Sequence, residues 1–473
     1  MSRPPATLLV LAFAAVALRA APESSVPAPP SSWPAPPAAV EALVAEALRS
    51  NLALAGESLE VERADARLAE ARSHFLPRLD LSARYSVADG GRTIDLPLGD
   101  LLNGAYATLN QYLVSQGQPA RFPTLENQSI ALLRSREQDT RLRLTQPLYA
   151  PEIERSVAAA RAGLAAREAQ LAAFRRQLRA EVHDAFFRHE QAAAAVAIFE
   201  SALALVEESL RVNRSLAKND KITDDVVLRA EAEVATVRQQ LAEATATRDL
   251  ARRYVNFLLN RPLETALPPL DEADAARYTA ALAATDIPAA ATAQREELER
   301  LRRAKTAARS AAEAVQARHL PTLALAVDGG AQGESYRTSR GSGYAMGSLV
   351  LDWNLFDGHQ RRSQIAQARI DERQVARQLT AAEQQLALQA QQARDEFATA
   401  RTALAAATLR REAARAAYRL VARREAEGLA NQLIVLDARN TLTTAELNYA
   451  VTRARLASAA AAFDRAATLT PLP

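Results

Sequence analysis

The sequence predicts an α+β protein in which one structural plan occurs twice. The stretch Ser348–Phe356 alternates apolar and polar residues, as a β-strand with two unlike faces does, and runs without a linker into a long helical segment. The same order occurs earlier in the chain. Apolar residues recur every seven positions through both long helical segments, which is typical of coiled-coil packing. Aromatic residues make up 5% of the chain and much of its 49% hydrophobic content is alanine, which favours closely packed helices over a bulky core.

The N-terminus has the pattern of a secretory signal peptide, predicted over residues 1–21. Arg3 gives a weak positive start, Thr7–Leu18 is apolar, and Ala15-Val16-Ala17 offers a cleavage site. A retained membrane anchor is the less favoured alternative, because the apolar run is too short to span a bilayer. Residues 22–38 form a Pro-rich leader. No later stretch reaches the ~18 uninterrupted apolar residues of a transmembrane helix, so a membrane-embedded form would have to use strands.

Sequence motifs for catalysis or cofactor binding are missing. The chain has no Gly-Lys pair and hence no P-loop, and its lack of cysteine excludes disulfides, thiolate metal sites and a lipidated N-terminal Cys. His183 and His189 lie six residues apart, which is not the i, i+4 spacing of a chelating pair. The net charge of +3 is small and the Arg residues are interspersed with acidic ones, so nucleic-acid binding is not indicated. We predict no enzyme activity, no cofactor and no metal site.

The chain divides into two predicted repeats, 39–270 and 294–473, joined by a connecting segment at 271–293. Each repeat opens with a helix that ends at Leu-Pro, because the residue before proline disfavours helix. A strand, a loop, a second strand, a long helix, a turn and a returning helix follow. In the first repeat the predicted elements, in chain order, are a helix (Val40–Ser73), a strand (Leu79–Val87), a loop (89–137, with a short helix around Gly99–Leu113), a second strand (Arg141–Tyr149), a long helix (151–216) and a turn (Ala217–Asp225). In the second repeat they are a helix (Ala293–Arg318), a strand (Leu323–Val327), a loop (Gly329–Gly343), a second strand (Ser348–Phe356), a long helix (359–427) and a turn (Gly428–Gln432).

A constant offset of 208 positions marks an internal duplication. It relates the seven-residue series of the two long helices and is kept by the helices that return after the turns. Examples are Leu178/Leu386, Ala185/Ala393, Ala192/Ala400, Val227/Val435 and Val234/Leu442. One frame across helix, turn and helix predicts two equivalent helical hairpins.

The strands distinguish a membrane protein from a soluble helical rod. An open sheet edge is not tolerated in lipid, and four strands are too few to close a barrel, since the smallest barrels have about eight. The chain would therefore oligomerise and supply four strands per copy to one composite barrel. A small soluble antiparallel sheet packed on the helix ends stays open as an alternative. The predicted lipid face consists of Leu79, Leu81, Tyr85, Leu142, Leu144, Leu323, Leu325, Leu349, Leu351, Trp353 and Leu355, with Asp352 and Asn354 facing water.

These motifs together resemble the TolC-like outer membrane efflux proteins (outer membrane factors). The resemblance rests on the strand-to-helix junction Leu351–Gly358, on the two Leu-Pro strand entries at Leu76-Pro77 and Leu320-Pro321, and on the two turn regions, Thr223–Ala230 and Gly428–Ala438. It covers nearly the whole chain after the leader. The duplicated order of the motifs is more specific than any one of them.

The resemblance implies a membrane protein of the α+β class, a trimeric composite β-barrel (four strands per chain) continued by a long α-helical coiled-coil barrel across the periplasm. It implies a homotrimer in the cell outer membrane that works with a periplasmic adaptor (membrane fusion) protein and an inner-membrane pump. The loops 89–137 and Gly329–Gly343 would be extracellular. The turns would form the periplasmic tip, where the gate and adaptor contacts would involve Asp220, Asp224, Asp225, Arg423, Arg424, Gly428 and Asp437.

The tip departs from the family pattern. Asp437 matches one position of the family's ring of Asp residues, but Ile434 occupies the other, while Ala430 and Glu425 stand where Arg and Tyr partners would be. Asp224, Asp225, Arg423 and Arg424 are the candidates for a different network. The predicted function is passive export through an outer-membrane duct of a tripartite efflux or type I secretion system. The alternatives are a soluble periplasmic coiled-coil scaffold or adaptor and an envelope enzyme, for which a clustered polar constellation would be needed.

Overall fold

A computed structural model describes residues 36–283, 295–335, 342–427, 429 and 432–467. The predicted signal peptide, most of the Pro-rich leader and residues 284–294 of the connecting segment lie outside these ranges. The helices are α1 (Ala38–Ser50), α2 (Leu52–Ser73), α3 (Leu98–Ser115), α4 (Pro151–Lys218), α5 (Asp224–Leu258), α6 (Glu272–Ala283), α7 (Glu296–Ala317), α8 (Gln360–Ala426) and α9 (Gln432–Ala467). The strands are β1 (Arg78–Val87), β2 (Thr93–Leu96), β3 (Gln128–Ala131), β4 (Arg136–Tyr149), β5 (Thr322–Gly333) and β6 (Gly343–Asp352).

The long helical hairpins have the predicted extents. Helix α4 has 68 residues and α8 has 67, and their returning partners α5 and α9 have 35 and 36. The ends of α4 and α8 (Lys218 and Ala426) and the starts of α5 and α9 (Asp224 and Gln432) differ by 208 positions, the offset found in the sequence. Leu178, Leu386 and the alanines that follow them at seven-residue intervals are buried, so the repeat forms the helical core. The fold class predicted from the sequence is confirmed.

The first predicted helix is in fact two helices that meet at Asn51. Asn51 has an extended conformation (ψ 124°), and its Oδ1 accepts a hydrogen bond from the Leu54 N–H, which caps the N-terminus of α2. Its Nδ2 donates to the Leu258 carbonyl, and the Ser50 hydroxyl donates to the Leu259 carbonyl (2.6 Å). The last carbonyls of α5 lack partners within their own helix, and these two side chains satisfy them. The end of α5 therefore abuts the start of α2.

Helix α4 forms the centre of the helical packing. It packs against its hairpin partner α5, against α2 and α7, and also against α9 and α1, while α8 packs against α9 and α7. Around the join between α5 and α2, a core of Val40, Val44, Val182, Phe186 and Val255 is fully or almost fully buried. In the connecting segment, α6 packs on α9 through Tyr278 and Leu282. No helix in the described part of the chain is both long and apolar enough to cross a membrane.

Four strands form one antiparallel sheet in the order β1-β4-β5-β6, and β2 pairs with β3 in a separate two-stranded sheet. Strand β5 continues through Gly329 and Gly330 to Gly333, so residues 329–333 belong to a strand and not to the predicted loop Gly329–Gly343. A Cβ atom at Gly330 would lie 2.4 Å from the Thr140 carbonyl oxygen, whereas one at Gly329 would meet nothing within 4 Å. Gly330, which the sequence pattern assigns to a turn, is instead needed because β4 approaches too closely for a side chain.

The predicted loop 89–137 contains structure of its own. Helix α3 confirms the short helix expected around Gly99–Leu113, and the β2–β3 hairpin was not foreseen. Strand β4 also begins at Arg136, five residues before the predicted start at Arg141. The polar residues at the start of β4 conceal the strand, because alternation is weak where both faces are polar.

Candidate functional site

One face of the four-stranded sheet carries the predicted lipid-facing residues. Directly paired residues of antiparallel strands point to the same side, and the register pairs Leu79 with Leu144 and Leu81 with Leu142. Leu144 in turn pairs with Val327 across β5. On the far side, Leu323 pairs with Leu351 and Leu325 with Leu349. Leu81 is 72% exposed and Leu351 65% exposed, so this apolar face is uncovered in the single chain.

The opposite face of the sheet carries charged residues in a row across three strands. Asp80 pairs in register with Arg143, which pairs with Asp328. Arg143 Nε donates to Asp328 Oδ1 (2.6 Å) and Nη2 donates to Oδ2 (3.1 Å), while Arg141 Nε donates to the Ser82 hydroxyl. Asp352 lies on this face as well, opposite Thr322. The sheet thus has one apolar and one charged face, as the strand patterns predict.

The two outer edges of the sheet belong to β1 and β6. The pairing order gives each of these strands one partner within the described part of the chain. Each outer edge therefore presents backbone N–H and C=O groups that can pair with a strand of another copy.

Arg361 organises the junction between the sheet and α8. Strand β6 ends at Asp352, so Trp353 and Leu355 follow the strand rather than belong to it, and the Trp353 indole donates to the His319 carbonyl (3.0 Å). The Arg361 side chain donates to Asp357 Oδ2 (2.6 Å) and to the carbonyl and side-chain oxygens of Asn354. Gly358 and His359 both have positive φ, which turns the chain into α8. Sequence reasoning identified the Asp357-Gly358 turn but missed Arg361, whose position four residues after Asp357 was the available signal.

The tip residues predicted from the sequence lie at the two inter-helix turns. Asp220 has a left-handed backbone (φ 56°) in the first turn, and Asp224 and Asp225 occupy the first turn of α5. Asp225 accepts a hydrogen bond from the Thr223 hydroxyl and forms an ion pair with Arg229 (3.7 Å). Arg423 and Arg424 are exposed in the last turn of α8, Asp437 is exposed on α9, and Gly428 lies outside the described residues. Within the described chain no ion pair joins Asp224 or Asp225 to Arg423 or Arg424, so a network among these four residues would have to form between subunits.

A contact that the sequence did not reveal joins the two hairpins near the tip. Arg439 on α9 is 5% exposed and donates through Nη2 to Glu233 Oε1 on α5 (2.6 Å). Burial lowers the pKa of Arg439 from its ordinary value, and the charge of Glu233 opposes that shift. Position 439 is equivalent to Glu231 under the 208-residue offset, but Glu231 pairs with Arg214, so the offset gave no signal for the contact with Glu233.

Arg439 also lines a groove of about 590 Å³ between the hairpins, together with Asn213 and Glu425. Burial raises the pKa of the Glu425 carboxyl. The Asn213 side-chain amide nitrogen is buried and has no hydrogen-bond acceptor among the described residues. The groove therefore places polar side chains among apolar ones, between the hairpins and close to their turns.

A buried polar cluster fixes the middle of the molecule. Glu41 on α1 accepts a hydrogen bond from Arg179 Nη2 (2.9 Å), and its Oε1 lies 3.1 Å from His183 Nε2. Burial of Glu41 raises the pKa of its carboxyl, but the hydrogen bond with His183 and the charge of Arg179 outweigh it, and the net shift is downward. Tyr278 on α6 is buried beside Asp464, and burial followed by that negative charge raises the pKa of its phenol. No group of three or more His, Asp or Glu residues in the described ranges is arranged to hold a metal ion.

Comparison with known proteins agrees with this architecture. Residues 287–468 match the family model of the outer membrane efflux proteins. A comparison with curated proteins found no match. The family match confirms the relationship predicted from the sequence motifs, and with it the predicted location in the cell outer membrane with an extension into the periplasm. It relates the chain to efflux channels rather than to enzymes.

Solved structures extend the likeness over almost the whole chain. The chain is similar to the CmeC outer membrane channel of Campylobacter jejuni (TM-score 0.74, 16% identity, 92% of this chain and 86% of that one). It is similar to the outer membrane protein VceC of Vibrio cholerae (TM-score 0.71, 17% identity, 92% and 99%). It is also similar to the MtrE outer membrane channel of Neisseria gonorrhoeae in its open state (TM-score 0.69, 19% identity, 90% and 88%). At these identities the likeness establishes the fold.

Proposed function

We propose that this protein is the outer-membrane exit duct of a tripartite efflux or type I secretion system, through which small molecules or proteins pass passively from the periplasm to the exterior. The observation that carries the proposal is the continuity of a two-faced, open-edged sheet with long helical hairpins. The sheet offers an apolar face to lipid and a charged face to water, and α4 extends from it for about 100 Å at 1.5 Å per residue.

The open edges support a homotrimer. An unpaired strand edge within lipid costs several kcal/mol for each unsatisfied backbone group, so β1 of one copy would pair with β6 of the next. Three copies of the four-stranded sheet supply twelve strands, and the four hairpin helices of each copy (α4, α5, α8 and α9) together supply twelve helices to the tunnel. The number of strands per chain would also allow barrels built from other numbers of subunits. The resemblance to the efflux proteins favours three subunits.

The proposed partners are a periplasmic adaptor protein at the tip, an inner-membrane pump and the outer membrane lipid. The tip surface offered to the adaptor comprises Asp220, Asp224, Asp225, Arg423, Arg424, Gly428 and Asp437. The pump would supply the energy, because the sequence contains no nucleotide-binding motif. Selectivity would come from charges along the tunnel and at the tip.

Fluorescence quenching by brominated lipid tests the lipid face. The chain has two tryptophans, Trp33 and Trp353, and both are replaced by Phe to give a silent background. Leu81→Trp is then compared with Ser82→Trp, because adjacent strand residues point to opposite faces. Brominated acyl chains in proteoliposomes should quench the tryptophan at 81 and leave the one at 82 largely unquenched. Equal quenching at both positions would refute the assignment of faces.

The alternative is a soluble periplasmic coiled-coil scaffold or adaptor, which would leave the sheet in water. Fractionation and native electrophoresis separate the two functions. The exit duct predicts recovery in detergent extracts of outer membranes as a species of three chains that conducts ions in planar bilayers. Recovery in the soluble fraction as a monomer would support the scaffold instead.

A further inference from the structure

Helix α3 lies in the segment between β1 and β4, residues 88–135, which we call the excursion. One face of α3 is already covered by its own chain. Asn103 and Asn110 lie seven residues apart on this helix and hold the returning segment. Asn103 Nδ2 donates to the Leu125 carbonyl and its Oδ1 accepts from the Leu125 N–H (both 2.8 Å). Asn110 makes the corresponding bonds to the backbone of Phe122. A Cβ at Gly99 would lie 2.6 Å from the Leu125 oxygen, so the return segment is in close contact with the helix.

A second face of the helix is apolar and is not covered by the return segment. Residues three and four apart on a helix share a face, and one such series is apolar and exposed throughout. Leu101 is 71% exposed and Tyr112 is 64% exposed. The α3 stripe consists of Leu98, Leu101, Leu102, Ala105, Leu109 and Tyr112. A contiguous exposed apolar surface on an ordered helix is typical of an interaction site.

The charge of α3 argues against a lipid surface as the occupant. Helices that lie on membranes carry Lys and Arg on their polar face, which are attracted to anionic lipid headgroups. Asp100 is the only residue of α3 that is charged at neutral pH, so this helix has no basic face. A protein partner with an apolar surface fits the α3 stripe better.

The position of the excursion indicates which protein that is. The excursion leaves the sheet from the end of β1, an edge strand, at the end of the sheet remote from the long helices. In a closed ring this edge adjoins the next copy. Contacts in a ring join two different patches, and the excursion has a second exposed apolar patch on its hairpin, where Ile94 and Ile130 form a directly opposed pair.

We propose that α3 forms a subunit contact outside the barrel, in which the α3 stripe of one copy packs against the β2–β3 hairpin of the next copy. The inference rests on the proposed oligomeric duct. It adds a second zone of subunit contact, separate from strand pairing, at the mouth of the barrel. The occupant of the stripe is a second copy of this chain.

Cysteine chemistry tests the contact, because the chain has no cysteine of its own. Ala105→Cys lies in the α3 stripe, and Ala107→Cys is a matched control on nearly the opposite side of the same helix, exposed in the single chain like Ala105. In the assembled protein, a water-soluble maleimide should label Cys at 105 slower than Cys at 107 by about tenfold or more, the ratio that corresponds to ~1.4 kcal/mol of contact free energy. Dissociation of the assembly should abolish the difference.

A second measurement identifies the occupant. Each cysteine is combined with Ile130→Cys on the hairpin and oxidised, and the products are separated on a non-reducing denaturing gel. The 105/130 combination should give cross-linked dimers and trimers, which require bonds between copies, and the 107/130 combination should stay monomeric. If Cys at 105 is labelled slowly but forms no cross-links, and removal of lipid restores fast labelling, the membrane covers the α3 stripe. That result would overturn the proposal.

Native mass measured on the same samples separates this inference from the proposed function. A native trimer in which positions 105 and 107 react equally fast would refute the α3 contact alone. A native monomer would refute the oligomeric duct, and the α3 contact with it.

Discussion

Arg143 and Asp328 form an ion pair with two hydrogen bonds that joins the two repeats within the sheet. Arg143 lies on β4 of the first repeat and Asp328 on β5 of the second, with Nε–Oδ1 and Nη2–Oδ2 distances of 2.6 and 3.1 Å. Asp328 is 2% exposed, whereas Arg143 is partly exposed. The pair therefore fixes the register at the boundary where the chain returns after 185 residues.

Loss of this pair should weaken the assembled protein. Asp328→Asn keeps the shape of the side chain but leaves Arg143 beside a neutral group, so we expect a lower midpoint of thermal dissociation in detergent. Glu60→Gln on α2 is the control, because its pair with Arg63 is exposed, lies outside the sheet and should contribute little. A midpoint for Asp328→Asn equal to that of the control would contradict the structural role of the pair.

The two adjacent glycines of β5 should tolerate substitution differently. Gly330→Ala places a Cβ 2.4 Å from the Thr140 carbonyl oxygen, and we expect a cost of about 1–3 kcal/mol, the range found for overpacking. Gly329→Ala meets nothing within 4 Å and should be neutral or slightly stabilising. The yield and thermal stability of refolded oligomer measure both. Similar behaviour of the two variants would mean that β4 and β5 do not approach as closely as described.

The stability of the folded protein should depend on Glu41 at acid pH. The folded-state pKa of Glu41 lies below its ordinary value of 4.5, so the folded protein binds the proton more weakly than the unfolded chain. The resulting stabilisation is present above pH 4.5 and is lost as the pH falls through the folded-state pKa. Between pH 6 and pH 4, the thermal midpoint of the wild type should therefore fall more than that of Glu41→Gln. Glu62→Gln, an exposed change on α2, should follow the wild type, and an identical fall in all three proteins would exclude this role.

The acidic residues at the tip should influence conduction. Asp224→Ala with Asp225→Ala removes two negative charges per chain at the start of α5, and we expect altered single-channel conductance or altered block by divalent cations in planar bilayers. Glu62→Ala with Asp65→Ala removes the same charge from the exposed surface of α2 and serves as the control. If the tip variant conducts like the wild type under every ionic condition, the gate lies elsewhere, and Arg439 with Glu233 becomes the next pair to replace.

The helical hairpins could be predicted closely from the sequence, because a seven-residue period runs through about half of each long helix and occurs twice in one frame. The ends of strands and breaks within helices could not. Asn51 interrupts a helical pattern, and it bonds to Leu258 while Ser50 bonds to Leu259, both more than 200 residues away in the sequence. The sequence pattern places Gly330 in a loop, and only the structure shows that it lies in a strand against Thr140. Arg361, Arg439 and Arg179 look like surface arginines, since the sequence does not specify which carboxylates or carbonyls surround them.

The join at Asn51 has a mechanical consequence. Helix α4 covers the distance from the sheet to the tip as one covalent helix, whereas α5 and α2 cover it in two pieces that meet through side-chain hydrogen bonds. The second repeat has a similar meeting point, where Arg465 near the end of α9 lies 3.7 Å from Glu297 at the start of α7. A rotation of the tip can therefore be absorbed at these two non-covalent joins, while α4 and α8 bend continuously. The lower half of the tunnel could twist without disturbing the strands above it.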